Sequence, residues 1–144
     1  MDSNPQITYK LITKHSNKVT NMVIALCNEI KYESNCLDIE NSLQLLFANP
    51  AFTCAGAYDE DELIGIIAFL TYPEIYNYNK LNSSEQFWYV YPSYRKGVGL
   101  KLVKYIEKEL YSDKITFGIS NPSLQRLLQR NGYSFEKTLM SKVL

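Results

Sequence analysis

The chain has 144 residues, 46% hydrophobic and 21% charged, with a formal net charge of +0 at pH 7. That composition fits one globular domain, 1–144, long enough to bury about two-thirds of the surface its unfolded chain exposes. Neutrality excludes a global field that would draw the chain to nucleic acid or an acidic membrane, so any anion site has to be local.

Residues 7–13 alternate and carry β-formers, which predicts a first strand. In 18–30, Val19, Met22, Val23, Leu26 and Ile30 recur at helical spacing. The pattern returns in 39–48 with Leu43, Leu46 and Phe47, and Asn49–Pro50 closes that helix. Residues 52–58 and 62–71 read as two strands joined by the acidic turn Asp59-Glu60-Asp61, a hairpin. Residues 72–84, rich in Tyr and Asn, read as a polar mobile loop, with Pro73 ending the strand before it. A strand over 86–91 and a helix over 98–111 follow, the helix burying Val98, Leu102, Val103, Ile106 and Leu110. Lys101, Lys104 and Lys108 form its solvated stripe. Residues 114–119 predict another strand. Asn121 then caps a helix opened by Pro122 and ended at Asn131–Gly132. The tail, 133–144, reads as a last strand. The order is β-α-α-β-β-β-α-β-α-β, a mixed α/β layer fold in which two parallel crossovers flank the turn after 86–91.

That turn is the strongest chemical signal. After the strand Gln86-Phe87-Trp88-Tyr89-Val90-Tyr91 come Pro92, the basic pair Arg95–Lys96, and Gly97-Val98-Gly99-Leu100 opening a helix. Glycines let backbone N–H groups approach a ligand closely, and a helix N-terminus favours a phosphate. By residues alone this is a phosphate cradle compatible with any nucleotide.

Three cysteines, Cys27, Cys36 and Cys54, show no metal or CxxC spacing, and His15 is the one histidine. Reduced thiols in a cytoplasmic setting and no metal site are expected. His15 sits in a polar loop and reads as a surface residue. The polar N-terminus has no apolar signal core, and no run is long enough to cross a bilayer.

The element order, with this turn after the fourth strand, resembles the GNAT superfamily of acetyl-CoA-dependent N-acetyltransferases. Val90, Pro92, Arg95, Gly97 and Gly99 supply the parts of the motif Val-x-Pro…[Gln/Arg]-x-x-Gly-x-[Gly/Ala], and Asn121 with Gly132–Tyr133 matches the second signature. Anchored on the glycines, Tyr94 holds the Gln/Arg position; anchored on the proline, Arg95 does, the reading preferred because a guanidinium suits a pyrophosphate better than a phenol. The chain is most similar to the small bacteriophage-encoded branch, on Glu33–Ser34, Glu85-Gln86-Phe87-Trp88-Tyr89-Val90, Gly132–Tyr133, Glu136 and Lys142-Val143-Leu144. The resemblance implies a central, mostly antiparallel sheet with a splayed parallel pair at the coenzyme site. It implies transfer of an acetyl group from acetyl-CoA to a primary amine by direct attack. Coenzyme contacts would come from Tyr89, Val90, Tyr91, Arg95, Lys96, Gly97, Val98, Gly99, Leu100 and Asn121. A backbone N–H near Val90 or Tyr91, where the strand bulges, would hold the oxyanion. Pairing as a homodimer and a host-cytoplasm location also follow from the resemblance.

Direct attack needs a base, because an ammonium cannot attack a carbonyl. Glu85, the one carboxylate between Glu74 and Glu107, is the candidate; its alternative is a solvated strand-end residue. Glu33 and Trp88 are acceptor-side candidates, Glu33 set against an ordinary exposed residue and Trp88 against a core one. The pattern is broken in three places, one of them an end that allows a single strand after the last helix where larger members have two; the other two bear on the chemistry. The turn is one residue short between Pro92 and Gly97, and Leu128 stands where many members have a thiolate-protonating Tyr. Both feed a second reading, a non-catalytic module that keeps the fold and binds coenzyme or a protein partner. Arg126 and Arg130, one turn apart, read as a solvated face.

Overall fold

Why the apolar residues of 63–69 run without alternation becomes clear in three dimensions: that strand is covered on both faces. The computed structural model describes residues 6–137 and 140–144. Its elements are β1 (Ile7–Ile12), α1 (Asn17–Glu29), α2 (Cys36–Ala48), β2 (Phe52–Asp59), β3 (Glu62–Glu74), β4 (Asn77–Val90), a 3-10 turn (Pro92–Tyr94), α3 (Val98–Glu109), β5 (Lys114–Thr116) and α4 (Pro122–Arg130). The sheet order is β1-β2-β3-β4-β5, antiparallel up to β4, with β5 parallel to β4. This is the expected mixed sheet with one parallel pair.

On one face, Val19 and Met22 of α1 and Leu43 of α2 bury Cys54, Ile66, Ala68, Phe87 and Tyr89. On the other, Val98, Leu102, Val103 and Ile106 of α3 pack on Ala55, Ala57, Ile67, Phe69 and Val90. The helical stripe expected for α3 is thus its core face. Asn35 starts α2 three residues earlier than the periodicity indicates, because its side chain accepts from the N–H of Leu37 (2.9 Å) and Asp38 (3.2 Å).

Three expectations are corrected. The segment 72–84 is no loop: β3 runs to Glu74 and β4 starts at Asn77, leaving a turn at Ile75–Tyr76. Polar bonds build this extension. The hydroxyls of Thr71 and Ser83 bond at 2.6 Å, Asn82 donates to the Tyr72 hydroxyl at 3.1 Å and accepts from Thr116 at 2.8 Å. Pro73 is tolerated because β2 pairs with β3 only as far as Leu70, so its missing N–H lies on an unpaired edge. β5 stops at Thr116, not at residue 119. Finally, the described part of 133–144 forms no strand, while positions 138–139 of that expected strand lie outside the described residues. A three-residue β5 offers a further strand little ladder to pair with. One parallel crossover, β4-α3-β5, therefore flanks the turn. Among the described residues no helix is long and apolar enough to cross a membrane.

Candidate active site

The site is a gap in the sheet. β4 and β5 pair only at Asn82–Lys114, Ser83–Ile115 and Ser84–Thr116, after which β4 continues alone to Val90. Along that stretch β4 keeps its bonds to β3, and the N–H of Tyr91 donates to the Ile64 carbonyl at 3.0 Å. Peptide groups alternate along a strand, so those of Trp88 and Val90 face the other way, into the gap.

A bulge sets up the upper end. Phe87 pairs with Ala68 but Glu85 pairs with Phe69, so Gln86 is an extra residue. Without it Glu85 would share the face of Phe87, toward α1 and α2. With it, Glu85 shares the face of Phe69, under α3, at the point where β5 departs. Its carboxylate accepts from the N–H of Gly118 at 3.3 Å, across the gap. Burial pushes the carboxyl up to about 7, and the Gly118 bond pulls the other way. A carboxylate with this value, at the mouth of a polar gap, is poised to exchange protons near neutrality. The bulge expected near Val90 or Tyr91 is therefore at Gln86. The Tyr91 N–H is engaged, which leaves the Val90 N–H as the free donor of that pair.

The lower end is the N-terminus of α3. Gly97 takes a left-handed conformation, φ 88°, and a Cβ there would meet nothing within 4 Å. Lys101 N–H is the first to bond within the helix, to the Gly97 carbonyl at 3.1 Å, and no side chain caps the end. The N–H groups of Val98, Gly99 and Leu100 are thus left for a ligand. Gly99 works differently: it lies inside the helical turn beside the Trp88 indole, and a Cβ there would stand an ordinary 3.4 Å from Trp88 Cζ2. Lys96 is exposed, and among the described residues no carboxylate pairs with it. A helix start, an open left-handed glycine and a free lysine fit a diphosphate.

Other predicted residues have more structural surroundings. The short turn takes a 3-10 form at Pro92–Tyr94, and its Tyr94 hydroxyl donates to Asp59 at 2.6 Å; that bond pushes the phenol up to about 12. Arg95 turns back onto the sheet, with Nε donating to the Val90 carbonyl at 2.7 Å and Nη2 to Glu29 at 2.7 Å. Its guanidinium lies 5.2 Å from the centre of the Tyr89 ring, which is buried on the α1 face. Trp88 is on the opposite face, 5.4 Å from Phe117, whereas Glu33 is exposed in the α1–α2 connection. Those two are not brought together. Leu128 is buried core. Arg126 and Arg130 are exposed, as read. His15 is not a surface residue: it is half-buried, 3.1 Å from the Thr20 hydroxyl, with its ring 5.8 Å from that of Phe47. Glu29, Phe117 and Gly118 frame the site without any local sequence signal.

Asn121 caps α4, accepting from Ser123 at 2.8 Å and Leu124 at 3.3 Å. Asn121→Ala should cost about 1 kcal/mol of stability and Asn121→Asp should restore most of it; chemical denaturation of the three proteins checks this. A cleft of about 470 Å³ lies elsewhere, beside β5 and lined by Glu107, Lys114, Tyr133 and Glu136. None of the predicted site residues lines it. The predicted residues gather instead at the gap and the uncapped helix.

Known proteins share this fold. The chain superimposes on a GNAT family acetyltransferase of Staphylococcus aureus at 20% identity, TM-score 0.70, covering 96% of this chain and 98% of that one. It matches a ribosomal-protein-alanine N-acetyltransferase of Brucella melitensis at 16% identity and TM-score 0.73, covering 96% and 98%. A protein of Bacillus halodurans described as a transcriptional regulator aligns at 14% identity and TM-score 0.80, covering 96% and 100%. At such identities these likenesses establish the fold alone. No curated protein sequence matches the chain. A sequence model described as Acetyltransferase (GNAT) family matches residues 22–133, well over half of the length. The chain belongs to the GNAT acetyltransferase family.

Proposed function

We propose that the chain transfers an acetyl group from acetyl-CoA to a primary amine of a small molecule or protein, by direct attack. One arrangement carries this reading: the free edge of β4 runs from Glu85 at the start of the gap to the uncapped N-terminus of α3. The six residues from Glu85 to Val90, with Gln86 bulged, match the four steps from Phe69 to Gly65 and span about 13 Å, which an extended pantetheine arm covers. Bound acetyl-CoA supplies an activated acyl thioester. The N–H groups of Val98, Gly99 and Leu100, with Lys96, hold its diphosphate. The peptide edge of Trp88 and Val90 orients the arm and gives the acyl oxygen a donor. Glu85 takes a proton from the incoming ammonium, directly or through one water. Tyr94 and Tyr133 donate to Asp59 and Glu107, and Leu128 cannot ionise, so no side chain is assigned to protonate the leaving thiolate. The amine enters from the side of the exposed residues 31–38, where Glu33 stands.

The motif set shared with the small phage-encoded members supports placing the protein among them, in a host cytoplasm and as a homodimer. The buried Leu128 in the Tyr position favours a second reading, a coenzyme-binding module without turnover. A ligand that binds only the native state stabilises it by about 2.7 kcal/mol at a hundredfold excess over its Kd. Millimolar acetyl-CoA should therefore raise Tm by several degrees. An unmoved Tm would sink both readings. A shift without release of free thiol, over peptide N-termini, polyamines and aminoglycosides, would select the second.

A further inference from the structure

The motif-matched arginine is not aimed at the cradle. Arg95 leaves the 3-10 turn and folds back over β4, where it makes three contacts at once. Nε donates to the Val90 carbonyl at 2.7 Å, Nη2 donates to Glu29 Oε1 at 2.7 Å, and the guanidinium lies over the Tyr89 ring. Tyr94 is tied to Asp59 on the other side of the turn, which fixes the direction from which Arg95 approaches. The Val90 carbonyl faces the gap, beyond the end of β5, so no strand is there to pair with it. Glu29 offsets the guanidinium charge that would otherwise face an anion.

We infer that Arg95 is a positioning residue, held by Glu29 of α1, that fixes the Val90 end of the free β4 edge instead of binding the donor's diphosphate. The inference rests on the proposed acetyl-CoA site. It divides the work of the basic pair: Lys96 and the α3 N–H groups take the anion, and Arg95 sets the edge along which the acyl arm lies. It also couples α1, which leads into the acceptor-side connection, to the coenzyme turn. A lysine cannot replace it, because one ammonium on a flexible stem does not reproduce a planar fork spanning a carbonyl and a carboxylate.

The experiment compares wild type with Arg95→Ala, Arg95→Lys, Glu29→Gln and the Glu29→Gln/Arg95→Ala double variant. Calorimetric binding of adenosine 3′-phosphate 5′-diphosphate and of coenzyme A is measured beside kcat and KM for acetyl-CoA. A positioning role predicts that binding of the nucleotide diphosphate changes less than about twofold in every variant. It predicts that kcat falls about tenfold or more in Arg95→Ala and Arg95→Lys alike, on the scale of a catalytic geometry displaced by a fraction of an ångström. Glu29→Gln should reproduce part of that fall, and the double variant should be no slower than Arg95→Ala. Loss of nucleotide affinity in Arg95→Ala with recovery in Arg95→Lys would overturn the inference and return Arg95 to the phosphates. So would an unchanged kcat in Arg95→Lys, or additive effects of Glu29 and Arg95. Melting curves of each variant separate misfolding from misplacement, and Arg95→Lys, which keeps the charge and the stem, covers a failed Arg95→Ala. Failure of wild type to bind coenzyme A would overturn the acetyl-CoA reading itself, a result distinct from all of these.

Discussion

Glu85→Gln is expected to cut kcat at saturating acetyl-CoA by about 10²- to 10³-fold, the usual contribution of one positioned base. The wild-type rate should rise with pH through about 7, as the carboxylate forms, and the variant should lose that limb. Initial rates from pH 5.5 to 8.5 give the answer, and an unchanged kcat would hand the proton to water or another group. Stability supplies a second readout that needs no substrate. The carboxyl titrates at about 7 in the fold against an ordinary value of 4.5, so between those limits the folded state holds a proton that the unfolded chain has released. Its contribution is complete below about 4.5 and is lost as pH rises through about 7. The loss is bounded by about 3 kcal/mol, since the side chain is only partly shielded. Glutamine keeps an acceptor for the Gly118 N–H and carries no charge to desolvate. The variant should therefore match wild type near pH 4.5 and exceed it at pH 8 in urea titrations. The same stability difference at both pH values would mean that Glu85 is not desolvated.

What could be read from the chain was local, and what could not be read was tertiary. Asn121–Pro122 starts a helix through bonds that close within three residues, and Gly132 ends it at φ 94°. Gly97 advertises its left-handed turn in the same way. The β3–β4 extension is different: Leu81 donates to Asp113, 32 positions away, and Asn82 accepts from Thr116, 34 away. A Tyr- and Asn-rich segment looks like a loop until those partners are in place. The carboxylate at 85 could be singled out, but not its face, because one inserted residue at Gln86 decides which side of the sheet it joins. Arg95 is the sharpest case. Its place in the motif suggested a phosphate, while its partner Glu29 lies 66 positions upstream, where no pattern points to it.

Gly97→Ala and Gly97→Asn should separate the shape of the cradle from its chemistry. A methyl group at this position meets nothing within 4 Å, so the cost of alanine is purely that of holding φ 88°. That cost is about 1–2 kcal/mol; the alternative, relaxing the turn, swings the Val98, Gly99 and Leu100 N–H groups off their common direction. Either way coenzyme A should bind at least about tenfold more weakly, the loss of about 1.4 kcal/mol. Asparagine visits the left-handed region more readily than alanine, so Gly97→Asn should melt closer to wild type. Its side chain nevertheless projects into the open space that the diphosphate needs, and its affinity should fall as far or further. Gly99→Ala is the contrast: its Cβ makes a 3.4 Å contact with Trp88, an ordinary distance, inside a helical turn that favours alanine. It should leave Tm unchanged or raised. Calorimetry with coenzyme A and melting curves for the three variants decide the matter. Wild-type affinity in a folded Gly97→Asn would move the anion away from the N-terminus of α3, and with it the far end of the β4 edge on which the acetyl-transfer reading depends.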